Sequence, residues 1–365
     1  MLPVSVCIIA KNEEKYIEEC LKHLIGYGME IVVTDTGSTD RTKEIASKYA
    51  DKVLDFQWVN DFSAARNFCA KNASNNWILA LDCDEYVQNI DVQKLRICMQ
   101  KFSKLAGTVK LKNAAYRYDG SIGYADEKIV RFYNRNFYEF AYPVHENVVV
   151  KNRTEHDTEE LQCFEVPMEV VHIGYLVSGD EMKNKQQRNL DLLYQSLQKD
   201  SDRKAYTFFQ IAQSEHILGN ADKAIENYRL CLEKENDVNL SYIQTCIIEL
   251  ATTYAQIDEP QKAVDVLEQY TDRIKTAQFT YTYGLALLGI EQPLKALMQL
   301  VLASMMSDRD SLGENLFYCY EHIIRLYNMF GQPQMAEPFQ KGYEECLAKR
   351  QQTLEQMAAF SENAG

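Results

Sequence analysis

A chain of 365 residues with 46% apolar and 25% charged side chains has material for two domains, each with its own core. A net charge of −14 excludes broad, sequence-blind nucleic-acid binding and general electrostatic docking on anionic lipid. No apolar run approaches the ~20 residues that span a bilayer, and Met1-Leu2-Pro3 leads straight into a strand-like run, so no signal peptide and a cytoplasmic location are expected.

Val4 to Ala10 is nearly continuous apolar sequence, the pattern of a strand buried on both faces. Asn12 is placed to cap a helix carrying Tyr16, Ile17, Cys20, Leu21 and Leu24, which ends at Gly26 and Gly28. Glu30 to Thr34 reads as a second strand, followed by Asp35-Thr36-Gly37-Ser38-Thr39-Asp40. There, Gly37 allows a tight turn, and Thr39 or Asp40 can cap a helix from Arg41 to Tyr49. Lys52 to Trp58 is a third strand, and Asp61 or Ser63 caps a helix that bears Arg66 and Asn67. Strands alternating with helices in this way imply βαβ units and a largely parallel sheet. The ten cysteines include no Cys-x-x-Cys pair, so buried, reduced thiols are expected rather than disulfides or zinc ligands.

The fourth strand, Trp77-Ile78-Leu79-Ala80-Leu81, ends abruptly in Asp82-Cys83-Asp84-Glu85. Three carboxylates at the mouth of a core strand suit the meeting point of a divalent cation and an anionic ligand. In open α/β sheets, ligands bind outside the carboxyl ends of strands. Strand alternation would turn Asp82 and Asp84 the same way, where they can share one hard cation. Asp35 falls at the same rim, a regularity that scattered surface acids would not show.

Four stretches resemble successive motifs of glycosyltransferase family 2. They are Val4-Ser5-Val6-Cys7-Ile8-Ile9-Ala10-Lys11-Asn12-Glu13-Glu14, Asp35-Thr36-Gly37-Ser38-Thr39-Asp40, Phe62-Ser63-Ala64-Ala65-Arg66-Asn67 and Asp82-Cys83-Asp84-Glu85. Each alone is weak, but the four stand in the family's order and at about its spacing. The resemblance covers roughly residues 3 to 178. It implies the GT-A fold, a nucleotide-sugar donor, Mn²⁺ or Mg²⁺ as cofactor, and inversion at the anomeric carbon. The nucleotide of a UDP-sugar then falls to Ala10, Asp35, Arg66 and Asp82, and the metal to Asp84. The chemistry agrees: Asp35 can accept the uracil N–H, Asp82 the ribose hydroxyls, and Arg66 can stack on the base or meet phosphate. Asp84 can hold the diphosphate only through a cation.

Beyond the acids, Asp91 to Phe102 reads as a helix, and Gly107 to Leu111 and Lys128 to Tyr133 as strands. Tyr116 to Tyr124 reads as a loop facing the acceptor. Pro143-Val144-His145-Glu146-Asn147-Val148 sets a His-Glu pair ahead of an apolar strand, and His172 ends the run Val170-Val171-His172. The pair and the later histidine resemble the branch holding lipopolysaccharide-core glucosyltransferases and peptide S-glycosyltransferases. That resemblance makes Glu146 the general base, His145 a residue that orients the site, and His172 a ligand of metal or diphosphate. The family's Thr-Glu-Asp triplet is absent, so Asp119, Asp126 and Glu127 remain rivals for the base. No Gln-x-x-Arg-Trp follows, which argues against processive polymer synthesis.

From about Ser178 the grammar changes to long amphipathic segments, giving expected domains at 1–178 and 179–365. Ser178-Gly179-Asp180-Glu181 can cap a helix to about Lys199. Polar turns then recur ahead of Ala224, Ala263, Ala296 and Ala336, separated by 39, 33 and 40 residues. A small residue after a polar turn at such a period resembles the tetratricopeptide helix-turn-helix, stacked as a short solenoid. The expectation is therefore an α/β GT-A domain, Rossmann-like with a mostly parallel sheet, fused to an all-α repeat domain. The repeats favour a protein or peptide acceptor, with a lipid-linked or cell-surface glycan as the alternative and a homo-oligomer open. A different class, a non-catalytic interaction protein with a degenerate transferase domain, is disfavoured by the intact Asp35, Asp82 and Asp84.

Overall fold

The computed structural model describes residues 1–116, 122–151, 161–176, 179–199 and 204–363. The chain divides into two compact units, Met1–Met182 and Lys183–Gly365.

In the first unit β1 (Val4–Ala10), β2 (Glu30–Asp35), β3 (Lys52–Asp55) and β4 (Trp77–Leu81) run parallel, with β1 between β2 and β4. Four more strands complete the sheet: β5 (Glu85–Ile90), β6 (Ala106–Tyr116), β7 (Ile122–Asn134) and, later in the chain, β10 (Cys163–Tyr175). The order is β3-β2-β1-β4-β7-β6-β10-β5, with β7 antiparallel to β4 and to β6, and β10 parallel to β6 but antiparallel to β5. A separate two-stranded ribbon pairs β8 (Tyr138–Ala141) with β9 (Asn147–Val150). This is the mixed, mostly parallel sheet expected of the first domain.

The apolar run of β1 is divided between two cores by strand alternation. Val4, Val6 and Ile8 pack with Ile17, Cys20 and Leu21 of α1 (Ile17–Lys22), Ile45 of α2 (Thr42–Ala46), and Leu95 and Met99 of α4 (Val92–Lys101). Cys7 joins Val32, Ile78 and Ala80 against Cys69 and Ala70 of α3 (Phe62–Asn72). Burial on both faces is why the strand tolerates almost no polar residue. All ten cysteines are unpaired thiols, seven of them buried.

Several local expectations change. Asn12 does not cap α1, which begins at Ile17; it adopts φ +57° and ties its loop to the next one. Its amide donates to Ser38 Oγ (2.9 Å) and its Oδ1 accepts from Thr39 N (2.8 Å), so the polar side chain serves tertiary lacing instead of a helix end. β3 stops at Asp55, where its pairing with β2 ends, rather than at Trp58. β5 carries too little apolar alternation to be read from sequence, and β8, though it alternates, is only four residues long. Tyr116 and Tyr124 lie in β6 and β7, whose pairing runs out to Tyr116↔Ile122, so the expected loop shrinks; Asp119 lies outside the described residues.

In the second unit α5 (Gly179–Lys199), which begins within the first, is followed by four helical hairpins. They are α6 (Lys204–Ile217) with α7 (Ala221–Lys234), α8 (Ser241–Gln256) with α9 (Pro260–Glu268), α10 (Ala277–Gly289) with α11 (Pro293–Met305), and α12 (Asn315–Met329) with α13 (Pro333–Asn363). The four polar turns of the sequence are the four hairpin bends. In each, the residue five before the alanine takes a positive φ: Gly219 (+81°), Asp258 (+61°), Glu291 (+55°) and Gly331 (+68°). Its amide and the next one fold back on the helix, as in Gly331 N to Asn328 O (3.0 Å) and Gln332 N to Tyr327 O (2.9 Å), which is a Schellman stop. Pro260, Pro293 and Pro333 then open the second helix, where a missing N–H costs nothing. Ala224, Ala263 and Ala296 are fully buried and Ala336 nearly so, as close helix packing requires.

Candidate active site

The site is built at the carboxyl rim of the sheet, and β1, β2, β4, α3, β7 and β10 each bring part of it. β4 ends at Leu81, and Asp82 to Glu85 form a tight turn closed by Glu85 N to Asp82 O (3.1 Å). The acids are therefore on a turn rather than on a continuing strand, and the simple alternation argument does not apply. Asp82 and Asp84 go to different partners.

Asp82 is gripped by two arginines. Arg66 donates from Nη2 to Asp82 Oδ1 (2.7 Å), and Arg131 from Nη2 to Asp82 Oδ2 (2.9 Å). Arg66 also donates from Nε to Glu146 Oε1 (2.7 Å), and Arg131 reaches Glu85 Oε1 (2.7 Å). Glu85, 1% exposed, holds the Asp82 amide through Oε2 (3.0 Å). Desolvation pushes the Asp82 carboxyl up, but Arg66 and Arg131 outweigh it and hold the group far below the usual range. In Glu85 desolvation wins over the pull of Arg131, and its carboxyl is raised. Arg66 Nη1 and Arg131 Nε are buried without a hydrogen-bond partner. Orphaned guanidinium atoms are costly, and they mark a place where an anion can complete the network.

The helix α3 explains the placement of Arg66. Asp61 caps it, accepting from Ala64 N (2.9 Å). Arg66 lies under the Phe140 ring, its guanidinium carbon 5.2 Å from the centroid. Asn67 clamps the Phe140 backbone from both sides, donating to its carbonyl (2.7 Å) and accepting from its amide (2.9 Å). The Phe62 amide donates to Pro143 O (2.9 Å). These bonds fix the loop between β8 and β9 over α3, and so bring Glu146 to Arg66. Tyr142 and His145 in that loop take φ +81° and +51°. Such backbone is costly for residues with a Cβ and clusters at functional sites.

Asp84 faces the opposite way, toward β10. Its Oδ2 stands 3.5 Å from His172 Nε2. His172 Nδ1 meets Asn113 Oδ1 (2.8 Å) from β6, its register partner across parallel strands. Desolvation lowers the His172 pKa, but the Asp84 carboxylate offsets this and the net shift is upward. A Cβ added to Gly174 would fall against both Asp84 Oδ2 and His172 Nε2; the absence of a side chain there keeps the gap between them open.

This pair fits a small divalent cation. Two ligands at right angles on a cation with ~2.1 Å bonds stand about 3 Å apart, close to the observed gap. One carboxylate oxygen and one imidazole nitrogen suit Mn²⁺ or Mg²⁺. Among the described residues no third His, Cys, Asp or Glu joins them, so the remaining positions would go to water and substrate phosphates, as is usual for Mg²⁺. Asp82, Asp84, Glu85 and Glu146 crowd four carboxyl groups around Arg66 and Arg131, an acidic surplus that a cation would relieve.

At the neighbouring strand end, Asp35 is 5% exposed and its carboxylate accepts from Gly37 N (3.1 Å) and Ser38 N (3.1 Å). Gly37 takes φ +105°, which the turn around that carboxylate demands. The Ala10 carbonyl accepts from Thr36 N (2.9 Å) and Thr36 Oγ1 (3.1 Å), so Ala10 and Asp35 form one unit.

The structure thus joins Arg66, Asp82 and Glu146 in one cluster and Asp84 and His172 in another. Of the rival bases, Asp126 pairs with Lys110 (3.1 Å) and Glu127 accepts from Asn113 Nδ2 (2.9 Å). Sequence reasoning missed Arg131, Asn113 and Gly174. Arg131 had a signal: a charge inside the run Ile129-Val130-Arg131-Phe132-Tyr133 needs a buried partner.

Residues 5–113 match the family model described as Glycosyl transferase family 2. A "TPR repeat-containing protein" of Synechococcus elongatus is 36% identical over 149 residues, 40% of this chain and 36% of its own length. The SPbeta prophage-derived glycosyltransferase SunS of Bacillus subtilis is 24% identical over 318 residues, 85% of this chain and 73% of SunS. That span is too long for either half alone. The lipopolysaccharide core biosynthesis glycosyltransferase LpsC of Rhizobium meliloti is 32% identical over 88 residues, 23% of this chain and 32% of LpsC. Among solved structures, MamA aligns over 50% of this chain and 99% of its own, at 18% identity and TM-score 0.38. The chain thus spans little more than a third of the Synechococcus protein.

Proposed function

We propose, from the match of residues 5–113 to the glycosyl transferase family 2 model, that the protein is an inverting, metal-dependent glycosyltransferase. It moves a hexose or N-acetylhexosamine from a UDP-sugar to a protein or peptide acceptor. The observation that carries the reading is the division of labour at the rim. Asp84 and His172 face each other across a gap of cation size, and beside them two buried arginines hold Asp82 and Glu146.

Asp84 and His172 would hold Mn²⁺ or Mg²⁺, whose chemistry is to neutralise the charge that gathers on a departing diphosphate. Ala10 and Asp35 bound the end where the nucleotide base binds. The Asp35 carboxylate, oriented by its turn amides, is suited to accept a uracil N–H. Asp82, fixed by Arg66 and Arg131, presents its partly exposed edge to the ribose. Arg66 Nη1, orphaned in the protein alone, faces phosphate or base. Glu146 accepts the acceptor's proton as the hydroxyl or thiol attacks the anomeric carbon from the face opposite the leaving group. His145, in its strained backbone, orients that loop.

The repeat half supports a polypeptide acceptor, since stacked helical hairpins offer an extended surface. A lipid-linked or cell-surface glycan is the alternative. Among the described residues no helix is long and apolar enough to cross a membrane. The test is hydrolysis of a panel of UDP-sugars with Mn²⁺ and with EDTA. Release of UDP that EDTA abolishes is the expected result; no turnover with any donor would favour a binding protein with a degenerate transferase domain.

A further inference from the structure

Away from the acidic rim, the first unit has a cavity of about 390 Å³ walled by the last turns of α3, the end of β7 and the β8–β9 ribbon. The register of β7 shows the separation. Asn134, at its end, pairs with Trp77, the first residue of β4, whereas Asp82 follows the last. Five residues of extended chain span about 16 Å. Three cations line the cavity, Lys71, Arg135 and Lys151, against one carboxylate, Glu139. The chain as a whole carries −14, so this local surplus runs against its balance. Lys43, Lys48 and Lys52 are ion-paired, but Lys71 and Lys151 pair with no acid among the described residues. Arg135 is held rigid: Nη1 donates to the Ala70 and Ala73 carbonyls (2.5 and 2.7 Å), and Nε to Asn76 Oδ1 (3.4 Å). Those bonds close the carboxyl end of α3. They leave Nη2 without a bond to any described residue and open to solvent. Tyr133, 1% exposed, forms part of the same wall, and its hydroxyl is buried without a partner. Burial pushes that phenol up, so it stays a donor. An unmet buried donor is costly.

We propose that this cavity binds a small phosphomonoester, its phosphate held by Lys71, Lys151 and Arg135. A phosphate dianion has oxygens enough for a fixed guanidinium edge and two flexible ammonium groups together. A lone carboxylate would leave most of that charge unanswered. The volume lies in the range of sites for small organic ligands and exceeds what bare phosphate fills. Ala70 and the tyrosines Tyr133 and Tyr138 supply the apolar part of the wall, against which a sugar-sized group can lie. Capping of α3 explains Nε and Nη1 of Arg135, but uses neither Nη2 nor the two lysines. The site does not rest on the transferase reading, since it shares no residue with that chemistry.

The test is calorimetric titration of glucose 6-phosphate, orthophosphate and glucose into the full chain, in EDTA and at constant ionic strength. EDTA ensures that no cation at the acidic rim can hold the phosphate there. The wild type should bind one equivalent of glucose 6-phosphate, orthophosphate more weakly, and glucose not at all. Lys71→Gln and Lys151→Gln, both at the protein surface, should each weaken binding by about 3–10-fold, and the double variant by about the product. Glu139→Gln removes the one opposing carboxylate and should tighten binding by about 2–5-fold. Lys341→Gln, in the helical unit, is the control and should change nothing. UDP with Mn²⁺, added to saturation, should leave glucose 6-phosphate affinity unaltered. Absence of saturable binding by the wild type, wild-type affinity in the double variant, or displacement by UDP would overturn the proposal. Orthophosphate bound as tightly as glucose 6-phosphate would overturn the assignment to an ester.

Discussion

Replacing Arg66 with Met removes a side chain that bonds both Asp82 and Glu146. The guanidinium is 5% exposed and makes two charge-assisted bonds of 2.7 Å, to Asp82 Oδ1 and Glu146 Oε1. Removing one partner of a buried ion pair costs about 3–5 kcal/mol, because the other charge stays behind without compensation. Two features moderate the loss. Asp82 keeps Arg131 at 2.9 Å and is one-third exposed, so water and the second arginine share its charge. Glu146, 13% exposed, has no second ion pair among the described residues and feels Arg131 only at longer range. The expected cost is therefore at the lower end, about 3 kcal/mol, most of it from Glu146. Urea unfolding of the full chain measures it, with the first transition assigned to the α/β unit through its two tryptophans, Trp58 and Trp77. The double variant Arg66→Met/Glu146→Gln separates the causes. If Glu146 carries the penalty, the double variant recovers about 1–2 kcal/mol relative to Arg66→Met alone. A single-variant loss under about 1 kcal/mol, or strictly additive effects in the cycle, would refute the argument that this pair is desolvated and coupled.

Other consequences follow from the same geometry. Glu146→Gln preserves size but cannot take the proton, so the transfer rate should fall by about 10²–10⁴ with donor affinity nearly unchanged; a normal rate moves the base to Asp119, Asp126 or Glu127. Glu30 accepts bonds from Ser5, Ser74 and Lys52; burial would raise its carboxyl, but these bonds bring it down to about 2. The lowered value means stability present above pH ~4.5 and lost as pH falls toward 2. Glu30→Gln should thus cost about 2 kcal/mol at pH 7, allowing for solvent screening, and the gap should close in acid; a gap independent of pH from 7 to 3 would contradict this. Asp258 and Glu291 occupy left-handed turn positions that Gly219 and Gly331 fill elsewhere in the repeats. Asp258→Gly should therefore stabilise the helical unit by about 0.5–1 kcal/mol in thermal melts, and a loss of stability would count against strain at that bend.

The alternating grammar of the first half was legible because β1 and β4 are buried on both faces and leave unbroken apolar runs, and because turn residues separate them. β5 was not, since Glu85-Tyr86-Val87-Gln88-Asn89 is a strand only by pairing with β10, far along the chain. The same physics governed the site. Asp35, Asp82 and Asp84 follow their strands directly, so local sequence finds them. The grip of Arg66 on Glu146 spans 80 residues, and the contact of Asn113 with His172 spans 59; sheet order alone makes those neighbours. Asn12 misled for a related reason: a polar residue beside two acids looks like a helix cap, and the neighbouring loop outcompeted the helix for it. The repeat half was read from its bends because the left-handed stop, the proline and the buried alanine are all local devices.

The central claim is that this rim binds a nucleotide diphosphate through a cation held by Asp84. Calorimetric titration of UDP into the full chain, once with Mn²⁺ and once with EDTA, beside the same pair of titrations for Asp84→Ala, tests it most directly. The account predicts binding by the wild type that EDTA removes, and weak, Mn²⁺-independent binding by a folded Asp84→Ala variant. Equal UDP affinity of the wild type in Mn²⁺ and in EDTA, or Mn²⁺-dependent binding that survives in Asp84→Ala, would contradict it.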